Sequence, residues 1–293
     1  MERISDEARI AELLEPYTGS TAEISAGTVN YSLLGEPRLG TVLLISGLSM
    51  HRTDWSPELI AGLHDAGYAT LAADNRDAGA STLLNENVEA YGLVDMAADL
   101  RELIELLGVG PVHAVGISMG GMIAQHLALL APAQLRSLTS VMSTTGARGV
   151  GRPHEDSKWV FLTPAPTDSR EAYVAYALRY HEALTGGHFS DPERARQTAE
   201  IAWTRGINPE GTVRQLGAIQ ADGDRTERLA AITVPTLVVH GDADPLIGVS
   251  GGVATAAAIP GATMFTVPGM GHAIPWQRAG ALTDRLVAHF TAA

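Results

Sequence analysis

The chain alternates between short apolar runs and longer stretches of helical periodicity, and this alternation restricts its fold more than any other feature. The apolar runs cover residues 41–46, 68–74, 112–117, 135–142, 234–240 and 262–267. Near-continuous apolar runs of that length suit strands buried on both faces. Helical patterns at 57–66, 93–107, 119–131, 253–259 and 276–291 lie between them. Strand–helix alternation predicts a mostly parallel sheet with helices on both faces. Two earlier runs, 21–26 and 28–34, flank Gly27 and predict an antiparallel hairpin at the sheet edge.

The alternation lapses over residues 144–230. That stretch reads as helical, with breakers at Pro164, Pro166, Gly186, Gly187 and Pro192. It holds 12 acids and 11 bases, whereas the whole chain carries a formal charge of −13, so nearly all the acidity lies elsewhere. A helical cap, 144–230, inserted into an α/β core of 1–143 and 231–293, is the expected organisation. The 45% hydrophobic and 18% charged contents are globular values and exclude wholesale disorder. The acidity argues against nucleic acid or an anionic membrane surface as partner, because either requires a basic face. With no cysteine, disulfides, thiolate metal sites and a Cys nucleophile are excluded together. The stretch 1–16 is charged and amphipathic rather than a leader, and within it 4–14 suits a surface helix or an oligomer contact. A cytoplasmic protein, monomeric or homo-oligomeric, is expected.

Gly116-Ile117-Ser118-Met119-Gly120 matches G-x-S-x-G, the pattern of a nucleophilic serine on a tight strand-to-helix turn. A second match, Gly248 to Gly252 around Ser250, shows how weak the pattern is alone. Context separates the two. A strand precedes Ser118 and a helix of small and apolar residues follows it, whereas Ser250 follows a loop containing Pro245 and reads as a helix N-terminal residue.

A serine hydroxyl needs a base, and the base needs an orienting carboxylate. His272 lies in a glycine-rich loop after the last strand, where parallel sheets place their chemistry. His113, His126, His240 and His289 fall within expected strands or helices and read as structural. Asp242 and Asp244 both follow the strand 234–240. Asp244, further along the loop and before Pro245, is the expected partner of His272, and Asp242 reads as a turn residue bonding nearby backbone N–H groups. The oxyanion of an acyl-transfer intermediate would be met by the backbone N–H groups of Met119 and Leu48, the latter in the loop Ser46-Gly47-Leu48-Ser49.

In the order Ser118, Asp244, His272, with Gly47, the loop Asp74 to Ser81, His240 to Pro245 and Gly269 to His272 in register, the chain resembles the α/β-hydrolase superfamily. Within it the likeness is to small bacterial carboxylesterases and aclacinomycin methylesterase-like proteins, and it covers nearly the whole chain after Thr21. Ser46 stands where the family more often has histidine. The resemblance implies a serine hydrolase acting through an acyl-enzyme, with no metal or organic cofactor, and gives Arg76 and Asp77 the task of holding loops. Asp at the elbow would mark dehalogenases or epoxide hydrolases, and Ser118 argues against both.

Met50, His51, Trp55, Met142 and Trp159 are the candidate pocket residues, and a largely apolar pocket suits a small or medium uncharged ester. Tyr173, Tyr176 and Tyr180 share a helical face that is read first as packing the cap onto the core. Alternatives with the same triad are an enol-lactone hydrolase, a natural-product methylesterase and a hydrolase of carbon–carbon bonds. A slow-turnover ligand receptor of the same fold is the alternative from another class.

Overall fold

The computed structural model describes residues 19–82, 84, 90–185 and 188–293. The N-terminal segment 4–14 and the breakers Gly186 and Gly187 lie outside them. Eight strands form one sheet: β1 (Ser20–Ile24), β2 (Gly27–Leu34), β3 (Gly40–Ile45), β4 (Tyr68–Ala73), β5 (Val112–Ile117), β6 (Leu135–Val141), β7 (Thr236–Gly241) and β8 (Thr263–Val267), in the order β1-β2-β4-β3-β5-β6-β7-β8. The pairs β1–β2 and β2–β4 are antiparallel and all others are parallel. The expected hairpin is present, but its turn is Ser25-Ala26, and Gly27 already pairs with Ile24.

Successive residues of a strand point to opposite faces, and β3 shows why its run is apolar throughout. Val42 and Leu44 pack under α1 (Pro57–Asp65) and α10 (Trp276–Ala292), with Leu59, Leu63, Leu282, Leu286 and Phe290. Leu43 and Ile45 pack on the other face against α2 (Leu93–Leu107) and α3 (Met119–Leu130), with Leu100, Leu103, Ile123 and Leu127. Both faces of the sheet are therefore core.

Between β6 and β7 the chain passes through α4 (Trp159–Leu162), α5 (Arg170–Thr185), α6 (Pro192–Arg205), α7 (Pro209–Asp222) and α8 (Thr226–Leu229), and α9 (Ser250–Ala258) follows β7. Pro192, expected as a breaker, is the first residue of α6. Asp191 ahead of it accepts a bond from the Arg194 N–H at 3.1 Å, and Asn208 does the same for the Gly211 N–H at 3.0 Å ahead of Pro209. A capping side chain followed by a proline starts a helix because the proline's missing N–H has no partner there anyway.

The tyrosine face of α5 packs within the insertion. Tyr176 and Tyr180 meet the Trp159 ring edge-on at 5.9 and 6.4 Å, and Tyr173 lies 5.8 Å from Trp203. The face thus knits α4, α5 and α6 together, and Tyr173 and Tyr180 also lie within electrostatic reach of Asp54, in the segment ahead of α1. Ion pairs join these helices to the core, Arg194 on Glu58 of α1 at 2.6 Å and Arg214 on Asp77 at 2.8 Å, and Ala218 of α7 and Leu229 of α8 are buried in the hydrophobic core itself.

Register sets where the chemistry can gather. Ile45 pairs with both Ala73 and Gly116, Ile117 with Val141, Val141 with Val239, and Gly241 with Val267. The carboxyl ends of these parallel strands are level, so their outgoing loops emerge side by side.

Candidate active site

Ser118 closes β5 and opens α3 with φ 55° and ψ −119°, a conformation that L side chains rarely adopt. Two neighbours make it attainable. A Cβ at Gly116 would strike the Gly120 carbonyl, and one at Gly120 would strike the Ile45 carbonyl on β3. The turn is tighter than side chains allow, which is why both flanking positions are glycine. The Ser118 N–H donates to the Val141 carbonyl at 2.9 Å, and its own carbonyl accepts from the Ser143 hydroxyl at 2.8 Å. The half-buried hydroxyl is held at the tip of the turn.

His272, buried, follows β8 and turns its Nε2 to the Ser118 Oγ at 3.0 Å. Its Nδ1 faces the Asp244 Oδ2 at 2.8 Å. Asp244 receives further bonds on Oδ1 from the Leu246 and Ile247 N–H groups, each at 2.9 Å. His240 Nε2 sits 3.3 Å from Oδ2 and 2.7 Å from the Ile247 carbonyl, and since a carbonyl only accepts, that nitrogen carries a proton. Burial pushes the Asp244 carboxyl up, but His272, His240 and the Ile247 N–H outweigh it and hold the group well below the usual carboxylate range. An ionised Asp244 fixes the Nδ1–H tautomer of His272 and leaves Nε2 free to accept the serine proton.

Gly47 lies against the elbow: a Cβ there would stand 3.3 Å from the Ile117 carbonyl and 3.4 Å from the Ser118 Cβ. The Leu48 N–H, next in the chain, and the Met119 N–H at the start of α3 have no hydrogen-bond acceptor among the described residues. Two free backbone donors flanking a serine hydroxyl can receive an oxyanion.

Of the other expected residues, Met50 stands beside this turn, its sulfur 3.3 Å from the Gly47 N–H. His51 is buried just after it. Trp55 and Met142 are built into the core on the α1 and α10 side of the sheet, with the Trp55 Nε1–H donating to the Ser46 Oγ at 3.2 Å. Trp159 is half-buried and stacked under Arg179 at 4.2 Å. Ser250 begins α9 and accepts from the Gly151 N–H at 2.9 Å. Asp242 bonds a backbone N–H, as its turn reading expects, but that of Gly269 on the His272 loop at 2.7 Å. Arg76 pairs with Asp99 at 2.6 Å, and Asp77 accepts from the Tyr91 hydroxyl at 2.9 Å besides Arg214. Both tie the β4 loop to its surroundings. Sequence reasoning passed over His240, whose place inside a strand looked inert. Its spacing of four before Asp244 was the available signal.

The alpha/beta hydrolase fold family model matches residues 40–279. Rhodomycin D methylesterase DauP of Streptomyces sp. (strain C5) is 28% identical, with 89% of this chain and 94% of that protein aligned. Rhodomycin D methylesterase DnrP of Streptomyces peucetius is 27% identical over the same shares, 89% and 94%. Among solved structures, a hydrolase from Pseudomonas aeruginosa PA01 superposes with a TM-score of 0.72 at 25% identity, covering 94% of this chain and 98% of that one. A meta-cleavage product hydrolase from Pseudomonas fluorescens IP01 gives 0.75 at 20% identity, covering 94% and 98%, a likeness of fold. With 240 consecutive positions matched and relatives aligned along most of both chains, this chain belongs to the alpha/beta hydrolase fold family, and within it is similar to the methylesterases.

Proposed function

We propose that the protein is a carboxylic ester hydrolase working through an acyl-enzyme on Ser118, with a small or medium uncharged ester as substrate. The hydrogen-bonded series Ser118 Oγ, His272 and Asp244, at 3.0 and 2.8 Å, carries this reading. In the first half-reaction Ser118 Oγ attacks the ester carbonyl as His272 Nε2 takes its proton. The Leu48 and Met119 N–H groups receive the oxyanion. The imidazolium, steadied by Asp244, protonates the departing alkoxide. Water then attacks the acyl-enzyme with His272 again as base, and as the acyl–Oγ bond breaks the imidazolium returns the proton to Ser118 Oγ and the acid leaves. Residues 144–230 act as a cap on a core of 1–143 and 231–293. Among the described residues, no helix is long and apolar enough to cross a membrane.

Hydrolysis of p-nitrophenyl esters from acetate to decanoate, with wild type and Ser118→Ala side by side, tests the reading. An initial burst and covalent labelling by a fluorophosphonate should both vanish in Ser118→Ala. Full activity in that variant would remove Ser118 from the mechanism. A second reading, a methyl ester of a larger natural product, draws support from the two methylesterase relatives. It predicts faster turnover of methyl than ethyl esters of one aromatic polyketide acid, and equal rates would count against it.

A further inference from the structure

The insertion reaches into both halves of the site. The His272 N–H donates to the Leu184 carbonyl at the end of α5, at 2.7 Å. On the other side stands Gln215 of α7, with none of its surface exposed. Its Oε1 accepts from the Ser49 N–H at 2.9 Å, and its Nε2 donates to the Arg76 carbonyl at 2.8 Å. One amide thus joins the loops leaving β3 and β4, and both its polar atoms are used.

Ser49 is the residue in that arrangement least able to hold itself. It sits at φ 57°, in the left-handed region, without being glycine. The turn around it is closed by the Met50 N–H on the Gly47 carbonyl at 3.2 Å, so Leu48 and Ser49 are its two central residues. A turn with positive φ at its third position favours glycine, and a serine there tends to relax by rotating the peptide between the central residues. Gln215 grips the N–H of that peptide. A conformation of this kind persists only when its surroundings over-determine it.

We propose that Gln215 is a positioning residue that holds the turn carrying the Leu48 N–H in its working geometry. The insertion is then a component of the oxyanion site as well as a cover over it. The proposal rests on the reading of Ser118 as nucleophile and the Leu48 N–H as oxyanion donor. Gln215 touches no reacting atom, so its signature is on kcat and not on substrate affinity.

The test uses Gln215→Met, similar in size but unable to make either bond, and Gln215→Glu, which keeps an acceptor for Ser49. For each, kcat and KM on p-nitrophenyl butyrate are measured with Tm and the inhibition constant of a trifluoromethyl ketone, whose adduct with serine loads the oxyanion site. The Met variant should lose on the order of 10- to 100-fold in kcat and in ketone affinity, with KM within about twofold. The Glu variant should fall between, and its kcat relative to wild type should rise as pH is lowered from about 8 to about 6, since a protonated carboxyl can again donate to the Arg76 carbonyl. A folded Met variant with wild-type kcat and ketone affinity, whether or not its Tm has dropped, overturns the proposal. If the Met variant does not fold, a Glu variant whose kcat ratio is flat with pH does the same. Ser118→Ala is run alongside, and hydrolysis surviving in it would sink the nucleophile reading itself, independently of Gln215.

Discussion

A carboxylate gripped from four directions has little freedom left, and Asp244 is in that state. Two backbone N–H groups fix one oxygen, and two imidazoles share the other. Asp244→Asn keeps the shape but loses the charge, and the amide no longer dictates the tautomer of His272. We expect kcat to fall by about 10⁴-fold, against a few-fold at most for Asp242→Asn, whose amide oxygen can still accept from Gly269. Comparable losses in the two variants would reverse the roles of the two aspartates. His240 shapes the same carboxylate from beneath. Its replacement by Leu strips one bond from Asp244 and one from the Ile247 carbonyl, both buried. Urea denaturation should show a loss of about 1–3 kcal/mol, and unchanged stability would refute the role. At this scale the residue types were legible, because Ser, Asp and His stood at loop starts in a recognisable order. The partners were not legible. The spacing of four links His240 to Asp244, but it does not say that His240 shares an oxygen with His272, which follows from how the loops after β7 and β8 meet.

The elements were read to within a residue or two wherever apolar periodicity was strong. β5 and α2 have the expected bounds, while β7 starts at Thr236, after Pro235, whose missing N–H cannot join a ladder. Inside the insertion the periodicity is diluted by polar positions, and Pro192 misled for a physical reason: the same ring that breaks a helix interior is welcome at its first turn. What anchors the insertion's far end is equally invisible in sequence. Arg225, 1% exposed, donates to the Gln125 Oε1 at 2.9 Å and the Thr144 carbonyl at 2.6 Å, and pairs with Asp222. Asp222 also meets His126 of α3 at 2.9 Å. Removing the guanidinium strands a buried carboxylate and a buried carbonyl together. Arg225→Met should cost about 3–5 kcal/mol by chemical denaturation, among the largest effects for a residue far from Ser118. A loss under about 1 kcal/mol would mean that His126 and Arg228 suffice to hold Asp222.

For the whole molecule, the charge of −13 leaves its mark through pairing more than through sum. Four carboxyls, Glu58, Asp77, Asp222 and Asp244, are pushed up by burial yet end below their usual range. Burial is the largest single influence on each, and it is outweighed only by partners acting together: Arg194, Ser56 and a backbone bond for Glu58; Arg214, the Leu84 N–H and Tyr91 for Asp77; His126 and Arg225 for Asp222; His272, His240 and the Ile247 N–H for Asp244. A carboxyl depressed in the folded state stabilises it fully above the unfolded value, about 4, and that contribution is lost as pH falls through the folded value. Asp54 and Asp99, raised first by burial, work in the opposite sense. The balance predicts a Tm nearly flat around neutrality and falling below about pH 4. Arg194→Ala should lower Tm near pH 7 and lower it less near pH 3, because the stability that Arg194 confers through the depressed Glu58 carboxyl is lost as pH falls through the folded value. An equal drop at both pH values would show that Arg194 acts by packing alone. The α/β frame was thus legible in outline, but the ion pairs that tie the helices between β6 and β7 to it were not, because Arg194–Glu58, Arg214–Asp77 and Asp222–His126 join residues about a hundred or more positions apart.

The Leu184 carbonyl under the His272 N–H sets a rule for remodelling this protein. The acceptor is main chain, so no single side-chain exchange at position 184 removes it, and the surface of α5 is open to broad redesign. Length is another matter. Deleting one residue within α5 would swing that carbonyl about 100° around the helix axis and move it about 1.5 Å along it, away from the His272 backbone N–H it accepts from. A chimera that borrows its insertion from a relative should therefore be spliced by helix phase and not by sequence similarity. The count of residues between Arg170 and Leu184 constrains the placing of the His272 loop as much as the identity of any one of them.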